Sequence, residues 1–171
     1  MSGNEELSDL TRTVFTLLRQ RRQTVAFAES CTAGLVSATL AEIPGASEVL
    51  DGGVVTYSNA MKREFLGVPA EILEQDGAVS PRCAAAMAEG LSRRTHSDFV
   101  LAITGLAGPG AEPGKPVGLV YIALRDAHSG TVRRFLFKGE RNYIRKVCVV
   151  SALKLLRCRL LDEPLCGEAS C

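Results

Sequence analysis

Short apolar runs rich in β-forming residues alternate along this chain with segments of helical pattern. The apolar runs lie at residues 24–28, 49–57, 99–103, 119–125 and 132–137. The last two are separated by a short polar stretch that is typical of a hairpin connection. Strands interleaved with helices, with one hairpin, predict an α/β protein: a three-layer α/β/α sandwich around a mixed sheet of about five strands.

Helix signals occupy the intervals between the apolar runs. Residues 10–18 carry leucine and valine at helical spacing ahead of the first strand. Ser80 and Pro81 supply a capping residue and a proline suited to the first helical position. A helix should therefore begin at Pro81 and run to about Thr95. A final helix should span residues 142–161.

Length and charge exclude several classes of protein. Twenty basic residues against nineteen acidic ones give a net charge of +1, which argues against a nucleic-acid surface or a polybasic membrane patch. No apolar run approaches the ~20 residues of a membrane span, and the acidic first ten residues are unlike a signal peptide. We therefore expect a cytoplasmic protein without nucleic-acid or membrane partners. Its 171 residues fit one domain, placed at 1–161, with a disordered polar tail at 162–171.

The six cysteines predict neither disulfides nor a metal site. No CxxC pair and no Cys/His pair with metal spacing occurs, and the two histidines are His96 and His128. Reduced thiols are the default in a cytosolic protein, so we expect no disulfide. Without spacing suited to ligands, we also expect no metal and no cofactor. Four of the cysteines lie in segments of helical pattern, and these are Cys31, Cys83, Cys148 and Cys158. Cys166 and Cys171 lie in the tail.

A serine stands at the junction between the first strand and the following helix. The N–H groups and the positive dipole end of a helix start can hold an oxyanion or a phosphate, so Ser30 is a candidate nucleophile. Two alternatives remain open. Ser30 is only the N-cap of the helix, with Glu29 solvated, or the neighbouring Cys31 is the nucleophile, with a thiol pKa lowered by the helix start.

A nucleophilic serine needs a base, which is a histidine or a lysine in known hydrolases. His96 and His128 are expected to be exposed, at a helix end and in a hairpin turn. Lys62 follows the second strand near the carboxyl edge of the predicted sheet, where α/β proteins place their sites. Lys115 lies in a glycine-rich loop. Both lysines remain candidates at this point, although position alone favours a surface charge for each.

Two further features are suited to binding a substrate. A glycine-rich loop at residues 104–110 directly follows the third strand, and glycines permit close approach of the backbone to a ligand. This loop lacks the Gly-Lys-Ser/Thr of a P-loop, and no helix follows it as in a Rossmann fingerprint. Arg141 and Arg145 lie four residues apart at the start of the last helix, where they could clasp a phosphate or face solvent.

Seven short motifs in one consistent order resemble the CinA C-terminal domain family, which includes the stand-alone nicotinamide-nucleotide amidases. The resemblance runs from about residue 10 to residue 161. This chain departs from the family's pattern at Ala33, Gly114 and Glu140. The motifs are AESCTAG (28–34), TYSN (56–59) with Lys62, LGV (66–68), GAVS (77–80), ITGLAGP (103–109), KPVG (115–118) and GER (139–141).

The resemblance implies an enzyme that hydrolyses nicotinamide mononucleotide to nicotinic acid mononucleotide and ammonia, without metal, in pyridine nucleotide salvage. It implies Ser30 as the nucleophile, Lys62 as its base and Tyr57 as the residue that orients the pair or relays a proton. The alternative function is a catalytically idle nucleotide-binding or regulatory module. A homo-oligomer is compatible with both, although no sequence feature fixes one. The predicted substrate-binding residues are Cys31, Thr32, Gly34, Asn59, Thr104, Gly105, Gly108, Arg141 and Arg145.

Overall fold

The computed structural model describes residues 3–165 and 168–169 of the chain, with side chains for residues 5–165. Its helices are α1 (Gly3–Arg21), α2 (Leu35–Ala41), α3 (Asn59–Leu66), α4 (Ala70–Gln75), α5 (Pro81–Ser92) and α6 (Arg141–Leu160). Its strands are β1 (Val25–Glu29), β2 (Leu50–Val55), β3 (Phe99–Gly105), β4 (Leu119–Arg125), β5 (Gly130–Leu136) and β6 (Glu168–Ala169). A short 3₁₀ helix, Ala46–Glu48, precedes β2.

The strands of the described residues form one mixed sheet in the order β2-β1-β3-β4-β5-β6. β1 is parallel to both of its neighbours, β2 and β3. β3, β4 and β5 pair in antiparallel fashion, and β4 with β5 forms the predicted hairpin. Because β1 lies between two parallel neighbours, the residues that follow it emerge between the carboxyl ends of β2 and β3. That edge is where an open α/β sheet usually binds its ligand.

Helices cover both faces of the sheet. α1, α2 and α6 pack on one face, over side chains such as Phe27 and Leu101. α3 and α5 pack on the other face, over the small side chains of Ala28 and Ala102. Successive strand residues point to opposite faces, so β1 and β3 contribute to both cores. The predicted three-layer α/β/α sandwich around a mixed sheet is confirmed.

Most predicted elements are present, with shifted ends. Ser80 caps α5, its Oγ accepting a hydrogen bond from the main-chain N–H of Cys83 at 3.1 Å, and Pro81 is the first helical residue. α5 ends at Ser92 rather than near Thr95. α3 and α4 were not predicted, because helices of eight and six residues are too short to show a repeating apolar stripe.

Two expectations need correction. Cys31 is not helical, because residues 31–34 form a turn and α2 begins only at Leu35. The tail was expected to be disordered, yet β6 pairs with β5, Glu168 lying opposite Arg134. The two tail cysteines lie outside the described residues.

Within the described ranges, no helix has the length and apolar character needed to cross a membrane. In the same part of the chain, no three His, Cys, Asp or Glu side chains are grouped so that they could hold a metal ion. The four described thiols are free and buried, those of Cys31, Cys83, Cys148 and Cys158.

Candidate active site

Ser30 lies at the end of β1, between the two strands that are parallel to it. Its N–H donates to the carbonyl of Ile103 at 3.0 Å, which continues the β1–β3 pairing by one residue. The carbonyl of Glu29 accepts from the N–H of Thr56 at 2.8 Å, which continues the pairing with β2 on the other side. Ser30 is therefore held at the carboxyl edge of the sheet by main-chain bonds to both neighbours.

Lys62 reaches this serine from α3. Its side chain is 1% exposed, and Nζ lies 3.0 Å from Ser30 Oγ. Nζ also donates to the carbonyls of Thr56 at 2.8 Å and Tyr57 at 3.3 Å. All three contacts are to oxygen atoms without charge. Burial lowers the pKa of Lys62, because a low-dielectric environment disfavours the ammonium form.

The contacts of Lys62 are those of a base when the amine is neutral. A neutral amine has two hydrogens and one lone pair, and two carbonyls accept the two hydrogens. The lone pair is then left for the third neighbour, the hydroxyl of Ser30. Ser58 helps to fix this arrangement, since its Oγ caps α3 by accepting from the N–H of Met61 at 3.2 Å. Geometry thus favours Lys62 over the other candidate bases.

The other candidate bases have different surroundings. Nζ of Lys115 donates to the carbonyl of Asp76 at 2.6 Å, so its main contact is with the loop after α4. His96 and His128 are both exposed, as predicted. His96 lies before the start of β3 and His128 lies between β4 and β5, so both are at the end of the sheet opposite Ser30.

The thiol of Cys31 has another partner. It lies against the thiol of Cys148 on α6, and the hydrogen bond between them lowers the pKa of Cys31 and raises that of Cys148. Both thiols are buried. Lys62 Nζ bonds to the oxygen of Ser30 and not to this sulfur. Ser30 is therefore the better supported of the two candidate nucleophiles.

Glu29 occupies the start of α2. The carboxylate is fully buried, and its Oε2 accepts from the N–H groups of Gly34 at 2.9 Å and Val36 at 3.2 Å. Its Oε1 accepts from the N–H and the hydroxyl of Ser37, at 2.9 and 2.7 Å. One of the open alternatives had Ser30 as the N-cap of the helix and Glu29 solvated. Neither holds, and the helix-start N–H groups expected to face an oxyanion are bound to Glu29 instead.

Arg145 binds the other side of the same turn. Its Nε donates to the carbonyl of Cys31 at 3.2 Å, and its Nη2 donates to that of Thr32 at 2.9 Å. We predicted a substrate contact for this arginine, but these donors are occupied by main-chain carbonyls. Arg145 is also absent from the cleft lining described below, so the structure supports a structural role, and its predicted phosphate contact stays a prediction.

Arg141 and Tyr57 meet at a cleft beside Ser30. Arg141 donates to the hydroxyl of Tyr57 at 2.7 Å and to the carbonyl of Gly108 at 2.6 Å. Tyr57 thus contacts Lys62 through its carbonyl, while its hydroxyl is bonded to Arg141. The cleft has a volume of about 200 Å³ and is lined by Ser30, Cys31, Tyr57, Gly105, Leu106, Ala107, Gly108, Gly110 and Arg141.

Some of the remaining predicted binding residues line the cleft and others do not. Gly105 and Gly108 line the cleft, and Gly108 has φ +87°, a conformation that favours glycine. Thr104 is buried, with its hydroxyl donating to the carbonyl of Ala78 at 2.7 Å. Three others are not part of the cleft lining, and these are Thr32, Gly34 and Asn59.

Comparison with known proteins decides the family. The family model for the CinA C-terminal domain matches residues 7–160. The chain belongs to the CinA C-terminal domain family. Four of the seven motifs that predicted this family contribute residues to the cleft lining, and these are AESCTAG, TYSN, ITGLAGP and GER.

Family members with names or structures are similar over most of this chain. A protein of Desulforudis audaxviator, provisionally named as competence-damage inducible, is 52% identical over 147 residues, which are 85% of this chain and 36% of that protein. A CinA-like protein of Desulfotalea psychrophila is 46% identical over 147 residues, again 36% of its length. The chain thus spans about a third of the length of these relatives.

Solved structures of similar size have the same fold. A competence damage-inducible protein A from Klebsiella pneumoniae superposes with a TM-score of 0.88 at 34% identity, covering 91% of this chain and 97% of that one. A competence/damage inducible protein from Agrobacterium tumefaciens gives a TM-score of 0.87 at 39% identity, covering 91% and 95%.

Proposed function

We propose that this protein is a nicotinamide-nucleotide amidase that converts nicotinamide mononucleotide to nicotinic acid mononucleotide and ammonia. The observation that supports it best is the contact between Ser30 and a buried lysine whose hydrogens are bonded to two carbonyls. A binding module has no need of a serine paired with a neutral amine. Membership of the CinA C-terminal domain family suggests the substrate.

In the proposed reaction, the hydroxyl proton of Ser30 passes to Nζ of Lys62 as Oγ attacks the carboxamide carbon. The tetrahedral intermediate collapses when Lys62 returns the proton to the amide nitrogen, the C–N bond breaks and ammonia leaves. Water then attacks the nicotinoyl ester, with Lys62 again taking the proton and returning it to Ser30 Oγ. The sum is amide plus water giving carboxylate and ammonium.

The size of the cleft supports one orientation of the proposed substrate. Its volume of about 200 Å³ accommodates the pyridine carboxamide end next to Ser30. The ribose phosphate then lies toward the rim, where Arg141 is the nearest cation among the cleft residues. Arg141 has donors beyond the two bonded to Tyr57 and Gly108, because a guanidinium carries five N–H groups. We place the enzyme in cytoplasmic pyridine nucleotide salvage, as a monomer or a homo-oligomer.

The direct test is to incubate purified protein with nicotinamide mononucleotide and to measure ammonia and the acid product. Ser30→Ala serves as the matched negative control, because it removes one oxygen atom from the site. Product formation by the wild type and none by the variant is the expected result. If the mononucleotide binds but is not hydrolysed by the wild type, the protein is the idle nucleotide-binding module and the proposal is wrong.

A further inference from the structure

The turn between β1 and α2 is held by two charged side chains of opposite sign. From one side Glu29 accepts the N–H groups of Gly34 and Val36. From the other side Arg145, which lies on α6, donates to the carbonyls of Cys31 and Thr32. The nucleophile candidate sits at the start of this turn, so both contacts bear on its position.

These contacts fix the successive peptide groups of the turn. Each trans peptide group is planar with its C=O and N–H pointing in opposite directions, so holding the carbonyl also sets the direction of the N–H. The Ser30 carbonyl accepts from the N–H of Ala33 at 3.1 Å, which sets the first peptide group. Arg145 sets the next two through the carbonyls of Cys31 and Thr32. Glu29 sets the one that ends at Gly34.

Two N–H groups of the turn have no oxygen acceptor. Among the described residues, the N–H groups of Cys31 and Thr32 donate to no oxygen atom, while those of Ala33 and Gly34 are bonded. The Cys31 N–H contacts the sulfur of its own side chain. Cys31 directly follows the nucleophile candidate and lines the cleft. An N–H next to the attacking serine is where acyl-transfer enzymes commonly stabilise a tetrahedral oxyanion.

We propose that Glu29 and Arg145 are positioning residues that hold this turn so that Ser30 Oγ stays within reach of Lys62 and the Cys31 N–H faces the developing oxyanion. The proposal rests on the proposed hydrolytic function for its reaction. The N–H groups at the start of α2 are already bound to Glu29. The oxyanion site is therefore the turn that precedes α2 and not the helix start.

The test compares Glu29→Gln and Arg145→Lys with two matched controls, Glu42→Gln and Arg12→Lys. Glu42 lies at the opposite end of α2 and Arg12 lies on α1, and both are exposed. Glutamine keeps the size of Glu29 but turns one acceptor into a donor that faces the N–H groups. The lysine variant keeps the charge of Arg145 but supplies one nitrogen where Nε and Nη2 now bind two carbonyls.

The first readout does not depend on the natural substrate. A small alkyl fluorophosphonate reacts with an activated serine: the Ser30 Oγ–P bond forms, the P–F bond breaks, fluoride leaves and the proton passes to Lys62. The phosphoryl oxygen then occupies the oxyanion position. Intact mass gives the rate of labelling of the folded protein, and Ser30→Ala shows that the label is on Ser30.

We expect each positioning variant to be labelled about ten- to a hundredfold more slowly than the wild type, since small misplacements of a reacting group cost about that much. With nicotinamide mononucleotide, kcat should fall by a similar factor, while KM changes less than about threefold, because the substrate rim is untouched. Both controls should match the wild type. A merely structural role would lower the fraction of protein that is labelled and leave the rate of that fraction unchanged.

Ser37→Ala provides a milder variant if Glu29→Gln does not fold. It removes only the hydroxyl that donates to Glu29 Oε1 at 2.7 Å, and we expect labelling to slow by a few-fold. Wild-type rates in all folded variants would overturn the inference, and so would a wild type that is not labelled at Ser30. Slowed labelling in a protein that does not hydrolyse the mononucleotide would support the positioning roles and count against the proposed function alone.

Discussion

Ser30 and Lys62 are carried by segments that lead to opposite faces of the sheet. The turn after Ser30 leads into α2, which packs on the face shared with α1 and α6. Lys62 belongs to α3, which packs against α5 on the other face. Their side chains meet at the carboxyl edge of the sheet, with Nζ 3.0 Å from Oγ. The pair therefore depends on both layers of helices being in place.

Replacing each candidate nucleophile distinguishes the two. Ser30→Ala should abolish deamidation, because it removes the oxygen bonded to Lys62. Cys31→Ser should keep most of the activity, since the Cys31 thiol contacts Cys148 instead. Rates of ammonia release measure both effects. Activity that survives in Ser30→Ala and is lost in Cys31→Ser would reverse the assignment.

The pKa of Lys62 predicts the pH profile of the activity. Because burial lowers this pKa, the amine becomes neutral at a lower pH than the ~10.4 of an ordinary lysine. kcat/KM should therefore rise with pH along one ionisation limb and level off below pH ~10.4. Lys62→Ala should be inactive, and Lys62→Arg should be nearly so, because a guanidinium does not accept a proton in this range. An active arginine variant would exclude Lys62 as the base.

The same pKa predicts how stability depends on pH. Between the folded pKa of Lys62 and its unfolded value, the unfolded chain binds the extra proton, so the contribution of Lys62 to stability improves as pH rises through that window. Lys62→Met removes the titrating group at similar length. We expect the stability of the wild type relative to this variant to increase with pH up to ~10.4. Thermal unfolding of both proteins across the alkaline range measures this difference in stability. If the stability of the two proteins changes with pH in the same way, the lowered pKa of Lys62 is contradicted.

Arg141 and Arg145 should respond differently to the loss of the substrate's phosphate. A charge-assisted contact worth ~1.5–3 kcal/mol means that Arg141→Met should weaken kcat/KM for the mononucleotide by about ten- to a hundredfold. The same variant should barely change the rate with nicotinamide riboside, which has no phosphate. Arg145→Met should impair both substrates alike, because Arg145 binds the turn. If Arg141→Met lowers kcat/KM equally for the mononucleotide and the riboside, Arg141 supports the structure of the loop and does not bind the phosphate.

Gly90 controls the approach of the helix that carries Lys62. A Cβ on this α5 residue would lie 1.8 Å from the carbonyl oxygen of Leu66, the last residue of α3. Gly90→Ala should therefore push α3 away, lowering stability by about 1–3 kcal/mol and reducing activity with it. Gly52→Ala is the control, because a Cβ there meets nothing within 4 Å. Unfolding midpoints and rates of ammonia release for the two variants test this expectation. A Gly90→Ala protein with wild-type stability and activity would contradict it.

Several features of the site could not be obtained from sequence patterns. Lys62 was a candidate because it follows a strand near the carboxyl edge, and Lys115 also remained possible. What separates them is a set of distances between segments far apart in sequence. Glu29 gave a misleading signal, because a carboxylate next to a serine is usually solvated. Its burial depends on the four donors that α2 and its preceding turn present to it.

The sequence by itself determined the class of the fold, the family and the location of the candidate nucleophile, because apolar periodicity and local motifs are properties of neighbouring residues. The tertiary structure alone decided which lysine meets Ser30, which arginine remains at the cleft and which N–H groups have no oxygen acceptor. Those outcomes depend on how the two helical layers pack across the sheet. Packing brings together groups such as Arg145 and Cys31, which are 114 residues apart, and no local pattern encodes that contact.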